Sequence, residues 1–281
     1  MDVIMERIDA HQHFWYYEPV KDSWMTEDMG LIRRDFMPAD LLPVIEALDF
    51  KGCVTVQVAQ SEAETNFLLK LAAENQMIRG VVGWVDLISK DIGSMLEKLS
   101  ENKLLKGFRH VLQAEPDDHF MLSPAFRHGI GLLQKYSFTY DILVYPRHLK
   151  IARELVQGFP EQQFVIDHLA KPHIKAQSIK EWETDIKRIA QMPNVYCKIS
   201  GMVTEADLHH WKPSDLIPYL DAVFYAFGPE RLMFGSDWPV CLIASTYKQW
   251  VDLLELYTME ALSAKQREAF WAGNAIKFYN L

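Results

Sequence analysis

The sequence predicts an α/β fold, a single (β/α)8 TIM barrel occupying residues 1–281 as one domain, and three observations carry that expectation. Short apolar, β-branched runs recur eight times along the chain. Segments with helical periodicity lie between them, the alternation that builds a parallel sheet. Several runs, such as Cys-Val-Thr-Val-Gln-Val at 53–58 and Phe-Val-Ile-Asp at 164–167, are almost continuously apolar, as strands covered on both faces must be. A doubly wound open sheet shows the same alternation, but eight repeats favour closure. Barrels of this kind run to about 250 residues as one unit, so the length requires no second domain.

Taken in order, strands are expected at 7–11, 52–58, 78–85, 105–110, 138–144, 162–167, 194–200 and 231–234. Helices are expected at 62–74, 92–100, 147–156, 179–190, 218–226 and 247–256, and Pro38 opens another. The first connection, 14–34, is long and irregular, with Trp, Tyr and Met in a polar setting. An amphipathic helix at 264–278 supplies the last layer. No low-complexity stretch, charge run or Pro/Gly/Ser linker interrupts the pattern.

Composition narrows the function. Lys plus Arg number 29 against 38 for Asp plus Glu, a formal net charge of −9, which argues against nucleic acid and anionic membrane surfaces as partners. Asp2, Glu6, Arg7 and Asp9 break up the N-terminal apolar residues, so no targeting signal is expected. No apolar run approaches the roughly 18 residues a membrane span needs. Cys53, Cys197 and Cys241 are odd in number, far apart and free of any CxxC spacing. They read as buried thiols in a reducing compartment, the cytoplasm.

In a parallel barrel the chemistry gathers at the C-terminal ends of the strands. The first run ends Asp9-Ala10-His11-Gln12-His13. A period of two puts Asp9, His11 and His13 on one face, Ala10 and Gln12 on the other. Two imidazoles on one face can converge on one ion or carbonyl oxygen; packing is their other use. The sixth run ends Asp167-His168, and Lys171-Pro172 follows shortly after. The eighth ends Gly235-Ser236-Asp237-Trp238, placing Asp237 beside an aromatic lid candidate, Trp238. A carboxylate there serves either chemistry or a helix cap. Three histidines and a carboxylate together suit zinc, and the same set can run metal-free acid–base chemistry.

Other tips add Gln57 and Gln60, Arg109 and His110, Tyr145 and Arg147, Lys198 and Ser200. The planar fork of Arg109 either clamps a carbonyl or hydroxyl or pairs with a barrel carboxylate. His209 and His210 read as loop residues, and His119, His128 and His148 as surface or packing histidines.

Four of these segments, Asp9-Ala10-His11-Gln12-His13-Phe14, Gly107-Phe108-Arg109-His110, Asp167-His168-Leu169-Ala170-Lys171-Pro172 and Gly235-Ser236-Asp237-Trp238-Pro239, resemble signature segments of the amidohydrolase-related ("amidohydrolase 2") family. Gly273-Asn274-Ala275 with Phe278-Tyr279 is similar to that family's C-terminus. The resemblance spans nearly the whole chain in the right order. It implies a metal-dependent-hydrolase-like (β/α)8 barrel and, within the family, the sugar-lactone lactonase branch acting on L-fuconolactone or L-rhamnonolactone, with 2-pyrone-4,6-dicarboxylate lactonase as a relative. Binuclear members bring a metal-bridging lysine or acid and a further histidine from the middle strands. Arg109-His110, Tyr145 and Lys198 stand there instead. The resemblance therefore implies one zinc ion, held by His11, His13, His168 and Asp237, or no cofactor at all.

On this reading the partner is a small-molecule lactone, and the protein is a monomer or homodimer. Asp237 takes a proton from water, while His11, His13, His168 and Arg109 stabilise the oxyanion. Gln57, His110, Tyr145, Lys171 and Trp238 bind the substrate. A dicarboxylate would need several fixed arginines, whereas amides and aromatic faces suit a neutral sugar. The competing readings are a 2-pyrone-4,6-dicarboxylate-type lactonase, a zinc-dependent decarboxylase of the same superfamily, and a barrel that binds a sugar acid without turnover.

Overall fold

The computed structural model describes residues 6–281, so Asp2, weighed above against a targeting signal, lies outside the described residues. The strands are β1 (Arg7–Gln12), β2 (Phe50–Val56), β3 (Ile78–Gly83), β4 (Leu105–His110), β5 (Thr139–Ile142), β6 (Phe164–Ile166), β7 (Val195–Ile199) and β8 (Leu232–Phe234). They pair in chain order, each parallel to the next. Beyond β8 the chain returns to β1: Asp237 N donates to His11 O (2.8 Å) and His13 N to Trp238 O (2.7 Å). The sheet is thus a nearly closed barrel, joined at the rim that carries the histidines. β2, β3, β5, β6 and β7 stop one or two residues short of their apolar runs because the tips turn away into loops.

Around the sheet lie α1 (Pro38–Glu46), α2 (Glu62–Glu74), α3 (Ile92–Leu99), α4 (Pro124–Leu133), α5 (Leu149–Gln157), α6 (Lys180–Ile189), α7 (Met202–Glu205), α8 (Pro213–Phe227), α9 (Tyr247–Ala261), α10 (Ala264–Glu268) and α11 (Asn274–Tyr279). All but α10 bury residues against the barrel, as α6 does with Trp182, Ile186 and Ile189. Sequence periodicity missed α4, although Ser123 caps it and Pro124 takes its first position. α8 starts earlier than expected, at Pro213, and runs through Pro218. The expected 264–278 helix is interrupted by a π turn at Ala269–Gly273. Among the described residues no helix is long and apolar enough to cross a membrane.

Two layers fill the barrel. At the bottom, Ile8, Ala10, Val54, Val56, Val82, Val165 and Met233 pack with Phe278 and Tyr279 of α11, which plugs that end. Above them Arg109, Asp141, Asp167 and Lys198 form a buried charged layer. The expected facing of β1 requires correction. Asp9 pairs with Cys53 but Gln12 with Thr55, three steps on β1 against two on β2. This bulge keeps Ala10 inside and turns His11 inward as well. Asp9 faces outward, accepting from Tyr247 Oη (3.0 Å), Ser236 N (2.9 Å) and Ser236 Oγ (2.6 Å).

The chain leaves β6 in an unusual turn. His168, Leu169, Ala170 and Lys171 have φ of 53°, 55°, 59° and 51°, four consecutive non-glycine residues in the left-handed region. Such residues cost roughly 1–2 kcal/mol each. Surrounding structure holds them: Leu169 and Ala170 are fully buried, and Trp182 Nε1 donates to Leu169 O (2.8 Å). Lys171 N closes the turn on His168 O (2.7 Å). At position 171, glycine would relieve the strain at a smaller cost in chain entropy. Lys171→Gly is expected to be more stable than Lys171→Ala by about 1 kcal/mol in urea unfolding. An alanine variant as stable as the glycine variant would mean the turn stores no strain.

Candidate active site

Three irregular backbone features bring the predicted residues together. The β1 bulge aims His11 and His13 inward, the left-handed turn carries His168, and Asp237 stands after β8 with φ of 58°. His11 Nε2 and His13 Nε2 lie 3.3 Å apart. Asp237 Oδ1 is 3.3 Å from His13 Nε2, 3.8 Å from His168 Nε2 and 3.9 Å from His11 Nε2. An ion with arms of about 2.0–2.1 Å to nitrogen and oxygen has a tetrahedral edge of about 3.3 Å. The spacing of His11, His13 and Asp237 therefore fits one small cation, with His168 adjoining the cluster. Asp237 is no helix cap: its carboxylate points at the imidazoles.

Neighbouring groups set the orientations. His13 Nδ1 donates to Val56 O (2.7 Å), which leaves its Nε2 as a lone pair. His168 Nδ1 meets Ser200 Oγ (2.9 Å), a hydroxyl able to donate or accept. A side chain at Gly201 would crowd the same ring, since an added Cβ would sit 2.6 Å from His168 Nδ1. His11 Nδ1 is flanked by Lys198 Nζ (3.1 Å) and Asp167 Oδ1 (3.2 Å). Burial pulls the His168 imidazole down to about 4, against the attraction of Asp237 and Asp167, and burial likewise holds His11 well below its ordinary value. Both are neutral at pH 7. Burial works against the Asp237 carboxylate, but in the acid range where it titrates the protonated His168 and His11 outweigh burial and hold the group well below the usual carboxylate range.

Asp237, His168, His13, Arg109 and Lys171 line a cavity of about 220 Å³, whose apolar side is Trp24, Val58, Val111, Leu143 and Val240. At roughly 30 Å³ per water it holds about seven waters, the scale of one small ring. His11 lies beneath the floor, fully buried. Arg109 is braced: Nη1 donates to Asp167 Oδ2 (3.0 Å) and Nη2 to Gln57 O. Nη1 also approaches His11 Nε2 (3.4 Å), so Arg109 both pairs with a barrel carboxylate and reaches the site.

Several expected binding residues stand elsewhere. Gln57 is a brace, its Nε2 donating to Arg109 O (3.0 Å). Trp238 is no lid: it is buried against Phe14 and Phe36. His110 is engaged by Glu115 Oε1 (2.6 Å) and Trp84 Nε1 (3.4 Å) outside the cavity wall. Tyr145 lies near the rim, its ring 5.8 Å from Lys171 Nζ. Sequence reasoning missed Trp24 and the valines of the wall, which carry no chemical signal. It also passed over Asp141 and gave Asp167 and Lys198 no role. A carboxylate and an ammonium inside otherwise apolar strands were a readable sign of a buried pair.

The chain from residue 8 to residue 281 matches the Amidohydrolase family. L-fucono-1,5-lactonase of Burkholderia multivorans is 38% identical over 285 residues, covering 98% of this chain and 96% of that protein. L-fucono-1,5-lactonase of Burkholderia ambifaria is 35% identical over 281 residues, with coverage of 98% and 96%. A crystal structure of a Burkholderia multivorans amidohydrolase with bound zinc superposes with a TM-score of 0.93 at 38% identity, covering 98% of this chain and 99% of that one. Barrel, histidine–aspartate centre and full-length similarity agree: the chain belongs to the amidohydrolase family.

Proposed function

We propose that this barrel hydrolyses a sugar (aldono) lactone, with an L-fucono- or L-rhamnonolactone as the first candidate. The observation that carries the reading is the meeting of Asp237, His13, His168 and Arg109 at the floor of a ring-sized cavity, with His11 directly beneath it. Asp237, ionised and 3.3 Å from His13 Nε2, accepts a proton from a water placed over the floor. That water attacks the lactone carbonyl. Arg109, with N–H groups left over from Asp167 and Gln57, and the imidazoles that carry a proton toward the cavity stabilise the oxyanion. As the ring opens, Asp237 returns its proton to the departing alkoxide.

One zinc ion would be held by His11, His13, His168 and Asp237, and when bound would polarise the carbonyl and acidify water. Lys171 faces the ring from the wall. The dicarboxylate and decarboxylase readings are less favoured because the full-length relatives bear lactonase names and the cavity presents few free cations. We place the enzyme in the cytoplasm as one barrel domain, monomer or homodimer, with no nucleic-acid partner. The buried, unpaired Cys53, Cys197 and Cys241 and the net charge of −9 support that placement.

Asp237→Asn keeps shape and removes the base, so turnover should fall by roughly 10²–10⁴. Retention of full turnover on a confirmed lactone would sink the mechanism. A pH-indicator assay over L- and D-aldonolactones, with and without chelator, tests the reaction itself. Acid release on one stereochemical series is expected. Release that survives the chelator assigns the oxyanion to Arg109 and the imidazoles; release restored only by zinc assigns it to the ion. Silence on every lactone, with carbon dioxide evolved from an aromatic acid, would replace hydrolysis by decarboxylation.

A further inference from the structure

We infer that Lys198, an ammonium enclosed in the barrel, is a positioning residue that decides which nitrogen of His11 carries the proton and thereby how tightly the site holds a metal ion. Lys198 is fully buried. Its Nζ lies 2.5 Å from Asp141 Oδ2, 3.1 Å from Asp167 Oδ1 and 3.1 Å from His11 Nδ1. An ammonium has three protons and no lone pair, so at His11 it can only donate. Nδ1 is then the acceptor, and the ring proton of His11 sits on Nε2. That proton faces His13 Nε2 at 3.3 Å. His13 spends its own N–H on Val56 O, so its Nε2 accepts. Along this line the hydrogen bonds run in one direction, from Lys198 to His11 to His13, while Arg109 Nη1, also a donor only, meets the same Nε2 at 3.4 Å.

A metal ion needs a lone pair on Nε2 of both rings. His11 must therefore move its proton to Nδ1 before it can bind one. The receiver is already in place: Asp167 Oδ1 lies 3.2 Å from Nδ1, is buried, and takes no well-aligned hydrogen bond. Lys198 favours one arrangement; Asp167 at Nδ1 and Arg109 at Nε2 favour the other. The ammonium opposes the ion twice, by occupying Nδ1 and by its charge. Asp141, which itself accepts from Tyr279 Oη (2.8 Å), holds Lys198 in that position. A lysine that merely neutralised two carboxylates would leave the His11 proton unassigned.

This deepens the site of the lactonase reading, but its readouts need no lactone turnover, so either can fail alone. In the ¹⁵N-labelled full-length protein freed of metal by chelator, long-range ¹H–¹⁵N spectra should show His11 protonated on Nε2, moving to Nδ1 when zinc is added. In Lys198→Met/Asp141→Asn, which preserves the balance of buried charge, His11 should be protonated on Nδ1 without metal. Zinc affinity, read by competition with a chromophoric chelator, should rise at least about tenfold. A wild-type His11 protonated on Nδ1 without metal overturns the proposal, as does a folded variant with unchanged zinc affinity. Should the variant not fold, the wild-type spectrum decides alone.

Discussion

The buried quartet of Asp141, Lys198, Asp167 and Arg109 holds the rest of the active end in place. β4 supplies Arg109, β5 Asp141 and β7 Lys198, while Asp167 follows β6. Two anions and two cations, none more than 4% exposed, thus brace the barrel across its interior. Desolvating each ion costs several kcal/mol, which is offset only when every partner is present and aligned. Lys198 to Asp141 at 2.5 Å and Arg109 to Asp167 at 3.0 Å are aligned hydrogen bonds, and Lys198 adds a charge contact of 3.1 Å to Asp167 Oδ1. His11 rests on this layer through Nδ1, and α11 reaches it from below through Tyr279. The plug and the chemistry are therefore joined through charges that cannot be removed singly.

Above that layer, function is bought with local irregularity. A regular β1 with Ala10 inside would turn His11 outward, and the bulge between Asp9 and Gln12 prevents this. A regular exit from β6 would carry His168 past the centre; the left-handed turn swings it back. Asp237 adopts the same left-handed conformation after β8. Each departure is held by packing or backbone hydrogen bonds from outside the site, including Asp237 N to His11 O at 2.8 Å. Strain of this kind persists where surrounding structure over-determines it.

These features separate what the sequence reveals from what it hides. The eight apolar runs identify the barrel because strands covered on both faces must read that way, and the strand-tip rule then singles out His11, His13, His168 and Asp237. Ladder ends were less legible, since an apolar run continues past the point where hydrogen bonding stops, as at 138–144. The bulge left no sign: alternation reads correctly until one residue is inserted, after which every face inverts. Gln57 and Trp238 misled because tip position says nothing of which way a side chain turns. Both serve as braces, one on the Arg109 backbone and the other in the aromatic core under the 14–34 connection. Partners such as Ser200 for His168 and Asp167 for Arg109 depend on contacts between strands, which single-chain periodicity does not encode.

Charge around the cavity bears on what enters and what leaves. Arg109 is matched by Asp167 at 3.0 Å, and Lys171 lies 3.8 Å from Glu205. His11 and His168 are neutral, and Asp237 is an anion. Without a bound cation, this wall carries no surplus positive charge, which disfavours a dianion and leaves a neutral ring unpenalised. Hydrolysis of a lactone then changes the balance. The product is a carboxylate formed beside the Asp237 carboxylate, in a buried setting where like charges repel more strongly than in water. The same anion that activates water in the neutral complex thus works against retention of the opened acid, and product release is favoured by one charge that the substrate lacks and the product gains.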